Sequence, residues 1–316
     1  MKNKNAFSLI ELSIVILIIG ILVAGVTSSS RLVSQMKLSS AKAITISSPV
    51  SSIQGLSAWY ETTIESSFDS SIGDQDQVAI WYDINPQSSF KNNLTQSNSS
   101  NRPTYIKSGI GGIPSINFNN SNLQFDNFIL NSSYTIFIVF KRSNVANNVG
   151  MDLLTLLSGG PTGNAGLLIE IQQSSGAWLG LNRSIRLLHR YPYSASWGSN
   201  ENDNYTSLSY PILEGGEYIL GYVRNYNNLS GGSPTASYIN GNNANYVAVL
   251  SGYSTYGFNI QSFVGPLTMV VGNLIAANRP FSGMISEIII YDRALKTDEL
   301  TDVSKYLSKK YSIKIL

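Results

Sequence analysis

One carboxylate stands where a carboxylate is expensive. From Phe7 to Val26 the chain has twenty residues with a single charge, Glu11. A carboxylate near the end of a membrane helix is costly unless it sits at the interface, is protonated or finds a cation. A plain anchor has no use for it, so Glu11 asks for a partner. The other chemistry-bearing residues are sparse. His189 is the single histidine and cysteine is absent, so His189 has no second histidine for a metal site and no thiol to activate. No Gly-x-Ser-x-Gly elbow occurs. Asp74, Asp76 and Asp83 have the oxygens that calcium takes, but the Asp-x-Asp spacing lacks the other ligands of a calcium loop. They read as solvated loop carboxylates, and no cofactor is expected. Gly109-Ile-Gly-Gly112 lacks the Lys-Ser/Thr ending and following helix of a phosphate loop and reads as a hairpin turn. The stretch from His189 to Tyr205 gathers Tyr191, Tyr193, Trp197, Asn204 and Tyr205. Aromatic faces stack on sugars while Asn and Arg bond their hydroxyls, but the same aromatics also pack a long insertion onto a β body.

The elements that position these groups divide the chain in two. Twenty helical residues span about 30 Å, the hydrocarbon thickness of a bilayer. Lys2 and Lys4 precede the apolar run, which holds the N-terminus in the cytoplasm and sends the chain beyond Val26 outward. The chain is therefore expected to be exported and anchored by its first 26 residues. A cleaved secretory signal would need a small-x-small site, and Val23-Ala24-Gly25 is too weak a match. Leu32, Val33, Met36 and Ala43 keep helical spacing, which predicts a helix to about Ile46. Ser47-Ser48-Pro49 ends it, because proline cannot donate to the helix ladder and restricts the residue before it.

The string Ala6-Phe7-Ser8-Leu9-Ile10-Glu11-Leu12, after two lysines and before a β-branched apolar run, resembles the processing and assembly segment of type IV pilins and pseudopilins. The resemblance covers about the first 45 residues. It implies that a prepilin peptidase cuts between Ala6 and Phe7, leaves the apolar helix attached and methylates the new amine. Glu11 is then the fifth mature residue. In the family that glutamate pairs with the N-terminal amine of a neighbouring subunit, offsetting the burial of both charges. The family usually has Gly where this chain has Ala6, which implies slower cleavage.

The remaining residues carry a different pattern. With 316 residues the chain is long enough for one large β domain plus an appendage or for two modest domains. Charged residues are 13%, the formal net charge is +2 and Lys and Arg are scattered, so direct nucleic-acid binding is disfavoured. Abundant Tyr, Ser, Asn and Gly with little Lys or Glu suit turn-rich β structure outside the cell. Strands are predicted at 78–82, 115–118, 134–141, 167–171, 218–224, 236–239, 268–271 and 284–291. The segment from Tyr134 to Phe140 is apolar on both faces, which predicts a central strand covered on each side. Near the end, Thr297 caps a helix, Asp298 and Glu299 suit its first turn, and Leu300, Val303 and Leu307 form its apolar face.

Several segments, in order, resemble the laminin-G or concanavalin A-like jelly roll: Leu56–Tyr60, Val78–Asp83, Asn101–Tyr105, Ile113–Phe118, Tyr238–Gly241 and Phe281–Leu295. The resemblance spans about 250 residues and leaves 184–215 unmatched. It implies a mainly β fold, with the long N-terminal helix followed by an antiparallel concanavalin A-like sandwich and a short C-terminal helix. Glycoside hydrolases of this jelly roll place paired carboxylates two and four residues apart on one strand face. The corresponding strand reads Glu287-Ile288-Ile289-Ile290-Tyr291. Its partners are missing, so Glu287 is expected on the solvent side or hydrogen-bonded, Asp292 in the turn after the strand, and catalysis is not expected.

The expectation is a leader over 1–6, a membrane and pilin-type helix over 7–48, and a jelly roll over 49–316. The chain would be a minor pilin or pilin-like subunit, held in the inner membrane by its helix, with its sandwich in the periplasm or on a pilus, for adhesion or recognition. Its partners would be the prepilin peptidase, other pilin or pseudopilin subunits, the membrane and a carbohydrate. The alternatives are a structural pseudopilin of a secretion or DNA-uptake system and a surface glycan-active enzyme.

Overall fold

The computed structural model describes residues 9–143, 151–158, 165–171, 184–190, 203–208, 210–225, 235–243, 246–247, 265–274 and 279–315. The chain opens with α1 (Leu9–Ile46), 38 residues long. Its end is the one the Ser-Ser-Pro sequence predicts. The Thr45 hydroxyl donates back to the Ala41 carbonyl (3.0 Å) and the Ser47 hydroxyl to Ala43 (2.9 Å), and Pro49 comes next.

The strands come in chain order. The first are β1 (Leu56–Tyr60), β2 (Ile80–Trp81), β3 (Leu94–Thr95), β4 (Thr104–Ile106), β5 (Ser115–Asn119), β6 (Leu123–Phe128) and β7 (Tyr134–Arg142). Next come β8 (Met151–Ser158), β9 (Ala165–Ile171), β10 (Ile185–Arg190), β11 (Asp203–Leu208) and β12 (Glu217–Arg224). The last are β13 (Thr235–Ile239), β14 (Asn242–Asn243), β15 (Tyr246–Val247), β16 (Leu267–Val271), β17 (Asn273–Leu274), β18 (Arg279–Pro280) and β19 (Ser282–Tyr291). Helix α2 (Thr297–Tyr311) closes the fold.

These strands make two mainly antiparallel sheets. One runs β14-β13-β12-β7-β19-β5-β4, with β1 also on β19. The other runs β15-β11-β10-β9-β8-β16-β6-β3-β2, with β17 and β18 at its side. Their facing surfaces share one core, in which Ile136, Ile138 and Phe140 of β7 meet Leu154, Leu156 and Ile169 of the other sheet. The opposite face of β7 presents Phe137 and Val139 to a second core, built with Ala41 of α1 and Val303 and Leu307 of α2. The doubly apolar run at 134–140 thus lies between two cores, as its composition predicts. The protein is mainly β, an N-terminal helix leading into an antiparallel sandwich with a short C-terminal helix.

All eight predicted strands occur, most within a residue or two of their predicted ends, although only Ile80–Trp81 of the 78–82 run is paired as strand. Among the strands of six residues or more, β6, β8, β10 and β11 were not predicted. The last two fall in the stretch that matched no part of the jelly-roll resemblance. Gly109–Gly112 forms the turn that joins the paired strands β4 and β5, as predicted. One detail differs at α2. Thr297 is its first helical residue, and the cap is Lys296, whose amide donates to the Glu299 side chain (2.8 Å). Glu299 is fixed for that task by a paired contact with Arg293 (2.9 and 2.6 Å).

Candidate functional site

Helix α1 has two unlike ends. From Leu9 to Val23 its large apolar side chains are 47–87% exposed, and no described part of the sandwich covers them. Glu11 lies on this bare stretch, in the first described turn. At 1.5 Å per residue it stands about 45 Å from Ala41, where the helix enters the second core. Glu11 is therefore remote from the sandwich. Ala6 and Phe7 lie outside the described residues. The apolar run with described side chains ends at Gly25, seventeen residues from Leu9, and no helix among the described residues is long and apolar enough to cross a membrane.

The other end of α1 is fixed by a buried polar network that sequence reasoning did not foresee. Lys310 of α2 has no exposed side-chain surface and donates to Glu61 (2.8 Å), to Glu287 of β19 (2.8 Å) and to the Tyr306 hydroxyl (3.2 Å). Glu287 also accepts from Trp59 Nε1 (2.8 Å) and from the hydroxyls of Tyr306 (2.7 Å) and Tyr311 (2.9 Å). Glu61 accepts from the amides of Thr63 and Ile64 and the hydroxyls of Thr63 and Ser67. The Tyr306 hydroxyl reaches Thr45 of α1 at 3.5 Å, which ties this helix to the same network.

The electrostatics stem from this geometry. Burial alone raises the pKa of Glu61, but Lys310 and the hydroxyl donors outweigh it and bring the carboxyl down to about 2. Burial alone lowers the Lys310 ammonium, and Glu287 and Glu61 together hold it above its ordinary value. Burial, reinforced by the nearby carboxylates, pushes both tyrosines well above theirs, so they act as neutral donors. Glu61 and Glu287 form a carboxylate pair around a lysine, an arrangement that elsewhere does acid–base work. Here neither carboxylate has exposed surface and each has its donors, so no substrate reaches them. The pair is structural. Glu287 is hydrogen-bonded, one of its two expected states, and the signal that could have found the network was a lone Lys among the apolar positions of α2.

A second buried cluster lies on the face of the β8–β10 sheet turned away from the core. Glu170 pairs with Arg186 across β9 and β10, and with Arg279 at 2.7 Å. Asp152, directly opposite Glu170 in the ladder, is raised well above the usual carboxylate range by burial and by the Glu170 charge. Each acid interrupts an apolar strand run, which was the available signal.

The remaining candidates disperse. Asp83 is buried and its oxygens accept the amides of Trp59 (3.0 Å), Asn85 (3.0 Å) and Asn92 (3.1 Å). Asp74 accepts the Lys107 amide (2.8 Å) and Asp76 the Gly73 amide (2.6 Å). Asp74 and Asp76 are exposed loop carboxylates as expected, whereas Asp83 is not solvated: it is buried because it satisfies amides from three separate segments. Among the described residues no group of three or more His, Cys, Asp or Glu is placed to hold a metal. Tyr191, Tyr193 and Trp197 lie outside the described residues. Asn204 and Tyr205 are on β11, opposite His189 and Leu188 of β10. An open groove of about 440 Å³ runs beside β2, lined by Asp69, Ile72, Gln75, Asp76, Gln77 and Val78 among others.

Comparison with known proteins adds one motif and a set of structural likenesses. Residues 1–27 match the prokaryotic N-terminal methylation motif. No curated protein matches the chain. Domain 4 of AbnA, an extracellular arabinanase from Geobacillus stearothermophilus, is similar at 15% identity and TM-score 0.41, over 79% of this chain and 98% of that one. Trypanosoma rangeli sialidase is similar at 13% identity and TM-score 0.45, over 81% of this chain, which spans only 33% of the sialidase. The CBM40 module of the Ruminococcus gnavus IT-sialidase is similar at 16% identity and TM-score 0.38, over 55% and 83% of the two chains.

Proposed function

We propose that this chain is a pilin-like surface subunit that carries a β-sandwich head for recognition. In this reading a prepilin peptidase removes residues 1–6, the run from Phe7 to Val26 anchors the subunit in the inner membrane, and the same run later packs among other pilin or pseudopilin helices. The observation that supports it is the bare first half of α1, apolar on all sides, with Glu11 inside it and a rigid seat at its other end. A contiguous apolar surface of this size is not left in water and implies a lipid or protein environment. In such an environment Glu11 gains from a cation such as a neighbour's terminal amine. The test is Glu11→Ala at matched expression. Export and folding of the head are expected to stay intact while incorporation into fibres falls. Unchanged incorporation refutes the assembly role.

The head's role in this proposal is weak, non-catalytic binding of a hydroxyl-rich ligand such as a carbohydrate. The polar groove beside β2 favours that over a purely structural pseudopilin, because it offers carboxylate and amide groups beside the half-buried apolar Ile72. A multivalent form probed on a glycan array tests the role, since many copies amplify a weak site. Loss of binding in Gln77→Ala places the site in the groove, whereas loss in Trp197→Ala places it on the aromatic loop. No binding to any glycan favours the structural pseudopilin, and release of cleaved sugar favours the enzyme.

A further inference from the structure

The orientation of the two helices decides which surface of the head faces the bilayer. Low on the seat, Lys37 lies against the β4–β5 turn, where a Cβ on Gly112 would come within 2.8 Å of Lys37 Nζ. The adjoining Gly111 lies against the Tyr311 carbonyl, 2.5 Å from where its Cβ would be. Higher up, Thr45 meets the Tyr306 hydroxyl. Helix α2 thus runs antiparallel to α1, with its C-terminal end pointing toward the apolar run.

That end is basic. Arg31 and Lys37 on α1, Lys309 on α2 and Lys314 after it are all exposed, and none is in an ion pair among the described residues. The nearby acids are occupied. Glu217 is paired with Lys141 (3.0 Å) and accepts the Gly111 amide (3.3 Å), and Asp74 accepts the Lys107 backbone amide (2.8 Å). The acidic residues of α2, Asp298, Glu299 and Asp302, are in its first turns, away from the bilayer. Cations at a helix C-terminus also complement its dipole, which accounts for Lys309 but not for Arg31, Lys37 or Lys314.

Distances along α1 bring Arg31 within reach of lipid charge and Lys37 to about its limit. From Val26, Arg31 rises about 7 Å and Lys37 about 16 Å. The headgroup layer extends about 5–7 Å beyond the hydrocarbon, and charge is felt for about another 8 Å at physiological salt. We infer that, before assembly, the head rests on anionic lipid headgroups through Arg31, Lys37, Lys309 and Lys314. This rests on the reading of the chain as a membrane-anchored subunit. Entry into a fibre then breaks these contacts, so lipid charge sets how readily a subunit leaves the membrane.

The test uses the full chain in nanodiscs of phosphatidylcholine, or of phosphatidylcholine with phosphatidylglycerol, and reads amine acylation by mass spectrometry. Lys296, exposed at the opposite end of α2, is the internal reference. Lys309 and Lys314 are expected to label roughly fivefold more slowly in the anionic discs, the occupancy that one lysine's attraction to such a surface provides. High salt should abolish the protection, and so should Arg31→Gln/Lys37→Gln. Equal labelling in both discs, or protection that survives salt, overturns the inference and leaves the anchor standing. A chain that does not co-elute with either disc overturns both.

Discussion

Replacing Lys310 by methionine removes the one cation between Glu61 and Glu287 while nearly conserving volume. Breaking a buried pair from one side leaves an uncompensated charge and costs about 3–5 kcal/mol. The pH dependence gives an independent magnitude. Glu61 is depressed from 4.5 to about 2 in the folded protein, which corresponds to about 3 kcal/mol of stability. Because its folded pKa lies below its unfolded one, that stability is fully present above pH 4.5 and is lost as pH falls toward 2. In Lys310→Met, burial is no longer opposed by the ammonium, so the folded pKa moves above the unfolded one and the sign reverses. The variant should gain stability as pH is lowered from 7 toward 5, where the parent is flat. Urea denaturation in detergent, followed by tryptophan fluorescence at several pH values, measures both effects, since Trp59 donates directly to Glu287. A variant within about 1 kcal/mol of the parent at pH 7, where a cost of 3–5 is expected, would refute the charged network. So would a parent-like pH profile. Glu61→Gln in the same background should recover part of the loss, because it removes one of the stranded charges.

Intact-mass measurement of protein recovered from membranes should show a chain beginning at methylated Phe7, and a terminus at Lys2 or after Val23 would remove the pilin assignment. Gly111 has φ 63° and its missing Cβ would lie 2.5 Å from the Tyr311 carbonyl, so Gly111→Ala should destabilise the α2 seat by about 2 kcal/mol, read as a lowered unfolding midpoint. Arg293→Gln releases a partly exposed pair with Glu299, whose carboxyl is held at about 2 chiefly by its hydrogen bonds from Arg293. Its cost at pH 7 should be about 1 kcal/mol after solvent screening. That cost is complete above pH 4.5 and disappears as pH falls through the depressed value, so a loss that persists at pH 2 would contradict the ion pair.

Much of the framework was legible because it is written in local periodicity. The end of α1 is set by Ser47-Ser48-Pro49, and β7 announces its two covered faces by being apolar at every position from Ile136 to Phe140. The strands that went unread were those with weaker local patterns. Leu123–Phe128 carries Gln, Asp and Asn on its outer positions, and Met151–Ser158 holds Asp152 and Thr155 within an apolar run. Ile185–Arg190 and Asp203–Leu208 each mix charged or polar residues into the run, and pairing partners fixed by the fold make them strands. The calcium candidates separated for a similar reason. Asp76 is taken by the Gly73 amide in its own turn, whereas Asp74 and Asp83 bond the amides of Lys107 and Trp59, 33 and 24 positions away, so the fold draws the three apart.

By itself the sequence determined the apolar helix, the single acid Glu11 within it, the processing motif and the predominance of β structure, because each is a property of contiguous residues. Tertiary structure alone decided that half of α1 stands bare while the rest is seated, since exposure depends on what the remaining chain covers. It alone brought Glu61 to Lys310 across 249 positions of sequence and Trp59 to Glu287 across 228. No local pattern encodes such pairings. They exist because two helices and two sheets must bury their apolar faces together, and the polar groups trapped there can be satisfied only by one another.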